Sequence, residues 1–204
     1  MSQNRKKKAG RPKEFSDDEV LLAAINVFWA KGYDGTSMRD LTEATGINSP
    51  SLYAAFGSKH SLYLKAIDRY ISNDACAPLV AFEGEPNIEK AVRAFFLAAL
   101  DYATQQQSGA LGCFLSNCVS ASAGEVDGAK ELLEQAIKET DIRLGKRFDQ
   151  EIADGNLDED FPSLARARLM FDLRQGIVLR ARAGLSRRSM TANLDDRVAM
   201  VLAT

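Results

Sequence analysis

The apolar residues of this chain recur at helical spacing almost throughout, and they do not alternate with polar residues as strand residues do. The first clear stretch runs from Leu21 to Phe28, with apolar side chains at positions i, i+3, i+4 and i+7. Ser16 and Glu19 precede it at the spacing of a capping box, and Gly32 follows it. The pattern predicts a capped amphipathic helix.

A helix, a tight turn and a second helix are predicted between residues 36 and 59. Gly46 lies between the two helices and supplies the positive φ that a helix C-terminus often needs. In the second helix Leu52 and Phe56, spaced i and i+4, are expected to face inward. A helix-turn-helix of this kind is typical of proteins that read DNA. The candidate caps are Thr36 or Ser37 for the first helix, and Asn48 or Ser49, followed by Pro50, for the second.

Helical periodicity continues to the end of the chain, so the expected fold is all-α with about nine helices. Residues 78–87 carry two prolines and a glycine, and we predict a domain boundary there. It separates a DNA-binding domain, 15–77, from a second helical domain, 78–204, and residues 1–14 form a flexible basic arm. The further helices are predicted from Ser58 to about Cys76 and at roughly 88–107, 112–123, 127–153, 163–184 and 188–203.

Charge is distributed unevenly along the 204 residues, although the formal net charge is only −2. Residues 1–70 carry 11 basic and 8 acidic side chains, whereas residues 71–204 carry 15 and 20. The beginning of the chain is therefore suited to a polyanion such as DNA, and the remainder is not. The arm contributes Arg5, Lys6, Lys7, Lys8, Arg11 and Lys13.

The composition also argues against several classes of protein. No apolar run follows the basic start as in a signal peptide, and no stretch approaches the roughly 18 apolar residues of a membrane helix. Three cysteines, an odd number, favour a reducing cytoplasm. With His60 as the single histidine, and Cys113 and Cys118 about 140° apart on an α-helix, we expect no metal, no cofactor and no catalytic site.

Residues 15–65 resemble the DNA-binding domain of the tetracycline-repressor (TetR) family. The resemblance rests on Ala24 and Phe28, on GYDGTSMRDLTEATGI, and on SLYAAFGSKHSLY, in this order over about 50 residues. It implies that the rest of the chain is a helical ligand-binding and dimerisation domain. The segments GCFLSNC, 112–118, and QGIVLRARAG, 175–184, resemble a subgroup of small-molecule repressors, some of them responsive to electrophiles.

The second helix of the helix-turn-helix is expected to enter the major groove. Residues 49–55 include no Arg, Asn or Gln for bidentate base contacts, so affinity is expected to depend on phosphates and on the arm. Tyr53 could instead be a packing residue, and the arm could be only a solubilising tail. Besides the arm, the predicted DNA-binding residues are Ser37, Arg39, Ser49, Pro50, Ser51, Tyr53 and Lys59.

A pocket for a small effector is expected between helices of the second domain. Two residues there have alternative interpretations. Cys113 is either a small buried hydrophobe or a thiol activated at a helix start, and Arg174 needs an anionic partner, from a ligand or from the protein. The candidate ligand-binding residues are Phe96, Tyr102, Cys113, Phe114, Asn117, Phe171, Arg174 and Gln175, beside Phe95 and Leu100.

One recognition helix reads only a few base pairs, so a palindromic double-stranded operator and a homodimer are expected. The last two helices are predicted to form the dimer interface through Leu169, Ile177, Leu179, Leu194, Val198, Val201 and Leu202. The favoured function is a ligand-released repressor. The alternatives are an activator or ligand-blind DNA-binding protein of the same fold and, less favoured, an enzyme with a cysteine nucleophile.

Overall fold

The computed structural model describes residues 16–73, 77–104 and 111–203, and over these residues the fold is all-helical. Nine α-helices have eight residues or more within this part of the chain. They are α1 Asp17–Lys31, α2 Met38–Thr45, α3 Ser49–Phe56, α4 Lys59–Asn73, α5 Ala77–Gly84, α6 Ile88–Thr104, α7 Ala129–Ala153, α8 Ser163–Arg182 and α9 Leu194–Leu202. None of the described helices is both long and apolar enough to cross a membrane.

Helices α1–α4 form a compact unit that we call the head. Its core contains Phe28 of α1, Leu41 of α2, Leu52 of α3 and Tyr63 of α4, each at most 1% exposed. The predicted capping box of α1 is present, since Ser16 accepts from the Glu19 backbone and Glu19 from the Ser16 backbone. Local capping and one apolar face per helix therefore account for the head.

Helices α5–α9 form the body, and at two places its helices differ from those that the sequence predicts. The segment predicted as a boundary, 78–87, is largely the helix α5, which buries Leu79 and Phe82 against α6. The helix predicted at 188–203 is two pieces, a short helix Arg187–Thr191 and α9, with a turn between them. In both places burial of apolar side chains decides the structure, which proline and glycine signals alone do not register.

Between α6 and α7 lies a segment of unusual geometry, residues 113–122, which we call the junction segment. Leu115–Val119 is a π-helical turn, closed by a bond from the Ser120 N–H to the Leu115 carbonyl, and Ser120–Ser122 follows as one α-helical turn. Because a π-helix bonds residues five apart, such residues share a side of the turn. Cys113 precedes this turn and Cys118 lies within it, and both are buried. Their sulfurs contact different groups, Tyr70 and Arg174 for Cys113 but Tyr63 and the Phe28 carbonyl for Cys118.

The junction segment has two faces with different neighbours. Cys113, Phe114, Cys118 and Val119 belong to the same hydrophobic cluster as the head core. The opposite face, Leu115–Asn117, is only half-buried and borders a cavity in the body. The junction segment thus contacts both the head and the body, alongside Ala129 of α7 and Val178 of α8, which also belong to the head cluster.

The predicted dimer-interface residues are mostly core residues of a single protomer. Ile177, Leu194, Val198 and Val201 are 0–7% exposed and pack inside the body, so they cannot face a second copy. Leu169 and Leu202 are half-buried. Leu179, in contrast, is 70% exposed. The apolar side chains of α8 and α9 that do face outward are Leu164, Leu179 and Met200, beside the small residues Gly176, Ala183, Ala199 and Ala203.

Candidate nucleic-acid interface and effector cavity

The turn between α2 and α3 is fixed by three local devices. Ser37, the actual cap of α2, accepts from the Asp40 N–H at 3.1 Å, while Asp40 accepts from the Ser37 N–H at 2.8 Å. Asn48, the actual cap of α3, accepts from the Ser51 N–H at 2.9 Å. Gly46 ends α2 with φ 69° and ψ 10°, a left-handed conformation that favours glycine. The two helices therefore have a defined relative orientation without a ligand.

Helix α3 presents one exposed face, formed by Pro50, Tyr53 and Ala54 and followed by the exposed Gly57, which ends the helix. The three helical residues are spaced i, i+3 and i+4, so they lie along one side of the helix. Tyr53 is 48% exposed and is the largest side chain of this face. The predicted outward residues Ser49 and Ser51 are only half-exposed, at the edge of the face. Its small side chains allow the α3 backbone to approach a binding partner closely.

The two cationic side chains predicted to contact DNA, Arg39 and Lys59, differ in their exposure and in their partners within the protein. Arg39 is 86% exposed and pairs with Glu43 at 2.7 Å on the surface of α2. Lys59 is half-buried, and its ammonium donates to the Tyr33 and Thr36 carbonyls at 2.8 and 2.9 Å. Lys59 thus ties the α1–α2 loop to the start of α4, a structural role that the sequence does not reveal. Ser37 is exposed at the N-terminus of α2, where backbone N–H groups favour an anion.

The head has little positive charge of its own. Residues 16–70 carry five basic and seven acidic side chains, whereas residues 1–15 carry six basic ones and Glu14. The six predicted arm contacts, Arg5 to Lys13, lie outside the described residues. All of the net positive charge at this end of the sequence therefore belongs to the arm.

A cavity of about 440 Å³ lies in the body among α5, α6, the junction segment, α7 and α8. Its walls are mainly apolar and include Phe95, Leu133 and Phe171. The polar groups on the wall are few, which is typical of a small-molecule site. Ser116 donates to the Gln175 side-chain oxygen at 2.7 Å across one side of it.

Arg174 is the one charged side chain among the residues that line this cavity, and it is only 8% exposed. None of the ion pairs among the described residues includes it. Its Nη2 lies 3.8 Å from the Sγ of Cys113, and its guanidinium carbon is 6.0 Å from the centre of the Phe171 ring. A buried guanidinium without a carboxylate partner is costly, so this arrangement favours an anion at the cavity wall.

Cys113 is 1% exposed, and its sulfur also accepts from the Tyr70 hydroxyl at 3.4 Å. Burial opposes ionisation of this thiol. The Arg174 guanidinium, with hydrogen bonds from Tyr70 and Ser116, outweighs burial and lowers the pKa of Cys113 below its ordinary value. Cys118 differs, because burial raises its pKa and its thiol donates to the Phe28 carbonyl at 3.2 Å. Arg182 lies near Cys118 but does not outweigh burial there, so the two thiols differ in the direction of their pKa shifts.

The predicted ligand-binding residues are divided by the structure. Asn117, Phe171, Arg174 and Gln175 line the cavity together with Phe95. The others, Phe96, Leu100, Tyr102, Cys113 and Phe114, do not line it. Most of these pack in the two hydrophobic cores, because aromatic residues at helical spacing serve core and cavity alike. Wall residues that the sequence did not single out include Leu115, Ser116, Ser120, Ile137 and Thr140.

Two comparisons of sequence bear on this arrangement. The family described as bacterial regulatory proteins, tetR family, matches residues 20–66, which cover most of the head. The HTH-type transcriptional repressor ComR of Escherichia coli K12 is 40% identical over 129 residues. That alignment covers 62% of this chain and 61% of ComR, so the chain spans about three fifths of this relative's length.

Solved structures extend the similarity over nearly the whole chain. A cysteine-substituted variant of the TetR family regulator CifR, solved with 26-bp operator DNA, is 28% identical with a TM-score of 0.83. The match covers 92% of this chain and 98% of that one. A TetR transcriptional regulator from Rhodococcus sp. RHA1 is 32% identical, with a TM-score of 0.58 and coverage of 91% and 98%.

Proposed function

Because this chain belongs to the TetR family of bacterial transcriptional regulators, we propose that it is a repressor that a small molecule releases from its operator. The family consists of DNA-binding regulators, not enzymes, and this sets aside the cysteine-dependent enzyme. The observation that carries the proposal is the pairing of an exposed α3 face with a cavity that the junction segment connects to the head core. A protein of this kind acts on chromosomal DNA in the cytoplasm.

In the proposed complex, Pro50, Tyr53 and Ala54 face the major groove, with Ser49 and Ser51 at its edge. Apolar and hydroxyl groups discriminate bases weakly compared with a bidentate Arg or Asn. Ser37, Arg39 and Lys59 lie at or near helix N-termini, where a phosphate is favoured. The arm, with its six cations, adds counterion release, and the operator is palindromic because two heads read it.

The salt dependence of operator binding tests this mode of recognition. We expect footprinting on the gene's own upstream region to reveal a palindrome, which is then used in fluorescence anisotropy. Deletion of residues 1–13 is expected to lower affinity and to flatten the dependence of log K on log salt, by about 0.9 per lost phosphate contact. A matched variant, with the six arm cations changed to Gln, separates charge from chain length. A shallow slope that neither change alters contradicts the proposal.

The junction segment supports a route from effector to DNA. Leu115, Ser116 and Asn117 border the cavity, while Cys118 on the other face lies against the backbone of α1. Tyr63 of α4 bonds to Ser122 at 2.8 Å on that same face. An effector that fits only one position of this segment shifts the angle of the head, and so lowers operator affinity by its differential affinity for the two states.

For the effector we propose either a small carboxylate, bound by Arg174, or an electrophile that alkylates Cys113. In the second case the thiolate sulfur forms a bond to carbon while the leaving group departs with its electron pair. Release of labelled operator by a panel of carboxylates and alkyl halides tests both classes, with Arg174→Lys and Cys113→Ser as the discriminating variants. If no member of either class releases the operator, both proposed classes are wrong.

Activation or ligand-blind binding remains the alternative within the same fold. A reporter fused to the operator, compared in cells with and without the gene, distinguishes the sign. Higher expression without the gene supports repression, and lower expression supports activation. An effect that no added compound changes supports ligand-blind binding.

A further inference from the structure

Arg174 has two possible anionic neighbours, one from the protein and one from the cavity. Its guanidinium lies 3.8 Å from the Cys113 sulfur on one side and lines the 440 Å³ cavity on the other. Among the residues that line the cavity, Arg174 is the one cation, and its side chain is only 8% exposed. One guanidinium cannot fully neutralise two anions in a medium that solvates neither.

We propose that the Cys113 thiolate and an anionic effector compete for Arg174, so that ionisation of the thiol weakens anion binding and anion binding suppresses the thiolate. This rests on the proposed function, since it assigns the effector of that cavity to the anions. By linkage the coupling is reciprocal and equal in both directions. The cavity is therefore a site whose affinity depends on the state of a cysteine that does not line it.

The groups around Cys113 limit which charge can change. Tyr70 of α4 donates to the sulfur, and Tyr102 of α6 lies beside Tyr70 with ring centres 6.3 Å apart. Burial holds the pKa of Tyr70 well above its ordinary range, so this phenol stays protonated near neutral pH. Ser116, the remaining group at the sulfur, is neutral. Among these groups, the Cys113 thiol is therefore the one whose charge changes at a pH above the pKa of the carboxylate ligand and below that of a phenol.

The affinity of the cavity for a carboxylate is expected to fall as pH rises. Below the thiol pKa Cys113 is neutral, Arg174 is available, and a carboxylate binds most tightly. As pH rises the thiolate forms and engages Arg174, so affinity for the carboxylate falls. A neutral ligand of the same shape has no such dependence, because it does not need the cation.

Isothermal titration calorimetry with butyrate, octanoate and 4-phenylbutyrate, each at millimolar concentration, tests the competition. With the full chain, the affinity of the carboxylate that binds best is expected to fall roughly five- to tenfold between about pH 6 and about pH 9. Cys113→Ser is expected to bind equally well at both pH values. Cys118→Ser, the matched control, is expected to keep the wild-type pH dependence. The primary amide of the same acid serves as the neutral ligand and is expected to bind weakly at every pH.

Two further variants keep the test decisive if one of them folds poorly. Arg174→Gln is expected to lose carboxylate binding, and Arg174→Lys to retain it in weakened form. Binding of none of the three carboxylates, or equal binding of the amide, overturns the anion site. Equal pH dependence in wild type and Cys113→Ser overturns the competition.

Operator release is measured separately by anisotropy. A carboxylate that binds with the expected pH dependence but does not release DNA would refute the proposed function and leave the competition standing.

Discussion

At the scale of single residues, exposure separates side chains that serve the fold from those free to contact a partner. Tyr53 and Tyr63 illustrate this, since both are tyrosines of the head, 48% and 0% exposed. The sequence correctly identified the inward residues of α3, because i, i+4 spacing is a local signal. It could not identify Lys59 as a bond to the α1–α2 loop, since that contact joins residues 23 and 26 positions apart.

Tyr53 is expected to contribute to DNA binding and not to stability. Tyr53→Ala should weaken operator binding about tenfold or more, because we expect the Tyr53 hydroxyl to reach a phosphate at the edge of the groove, and a hydrogen bond to a charged group is worth about 1.5–3 kcal/mol. The melting temperature should stay nearly unchanged, since the side chain is exposed. Anisotropy and thermal unfolding measure the two effects. Leu22→Ala, 42% exposed on α1, is the control, and a loss of affinity as large in that variant would contradict the assignment.

Arg147 is a half-buried anchor of the body, and its carboxylate partner Glu151 is buried. It pairs with Glu151 at 2.7 Å and also donates to four carbonyls at the end of α5, those of Phe82, Glu83, Glu85 and Pro86. Arg147→Ala should lower the free energy of unfolding by about 3–5 kcal/mol, because Glu151, 4% exposed, is left without its counter-charge.

Urea denaturation measures the change, and Arg143→Ala provides the comparison. Arg143 pairs with Glu83, but both side chains are more than a third exposed, so the expected loss is at most about 1 kcal/mol. Equal losses in the two variants would show that burial does not govern these pairs.

At the scale of elements, local sequence chemistry predicted the helix ends well and tertiary packing decided the rest. Ser16 begins α1 and Gly46 ends α2, as the sequence predicts, because a helix cap depends on neighbouring residues alone. The helix α5 and the π-helical turn were missed for the opposite reason. Both exist because apolar side chains such as Phe82 and Phe114 are buried against distant helices.

The cap of α2 should depend on pH. A hydrogen bond from Lys31, and then the bonds from the Ser37 backbone and hydroxyl, lower the pKa of Asp40. A depressed carboxyl pKa stabilises the fold above the unfolded-state value of about 4, and this stability is lost as pH falls towards the folded value. The difference in unfolding free energy between wild type and Asp40→Asn should therefore shrink as pH falls below about 4. Urea titrations across this range measure it, and a constant difference would contradict the role of Asp40.

At the scale of the whole molecule, none of the described residues covers the outward side of α8 and α9. Leu179 and Met200 are 70% and 50% exposed, with alanines and a glycine around them. Of the residues that the sequence predicts for a dimer interface, Leu179 lies on this outward side, whereas Ile177, Val198 and Val201 pack inside the body. An apolar stripe shows that a helix is buried, and only packing shows whether its own chain or a partner covers it.

Leu179 is expected to lie in the dimer interface. Leu179→Glu should convert the protein to a monomer in analytical ultracentrifugation and weaken operator binding about a hundredfold or more, because two linked heads bind with avidity. Ile142→Glu, a substitution at a side chain 52% exposed on α7, should leave both properties unchanged. A dimeric Leu179→Glu protein would place the interface elsewhere.

The π-helical turn also bears on how such regulators change during evolution. A turn of this kind holds one residue more than an α-helical turn, while the residues before and after it keep the same side. Deletion of one codon within Leu115–Asn117 would therefore turn the π-helical turn into an α-helical one, remove a wall residue of the cavity, and leave Phe114 and Val119 on the side of the head. Ligand preference could diversify here by changes in length alone, without loss of the connection to DNA.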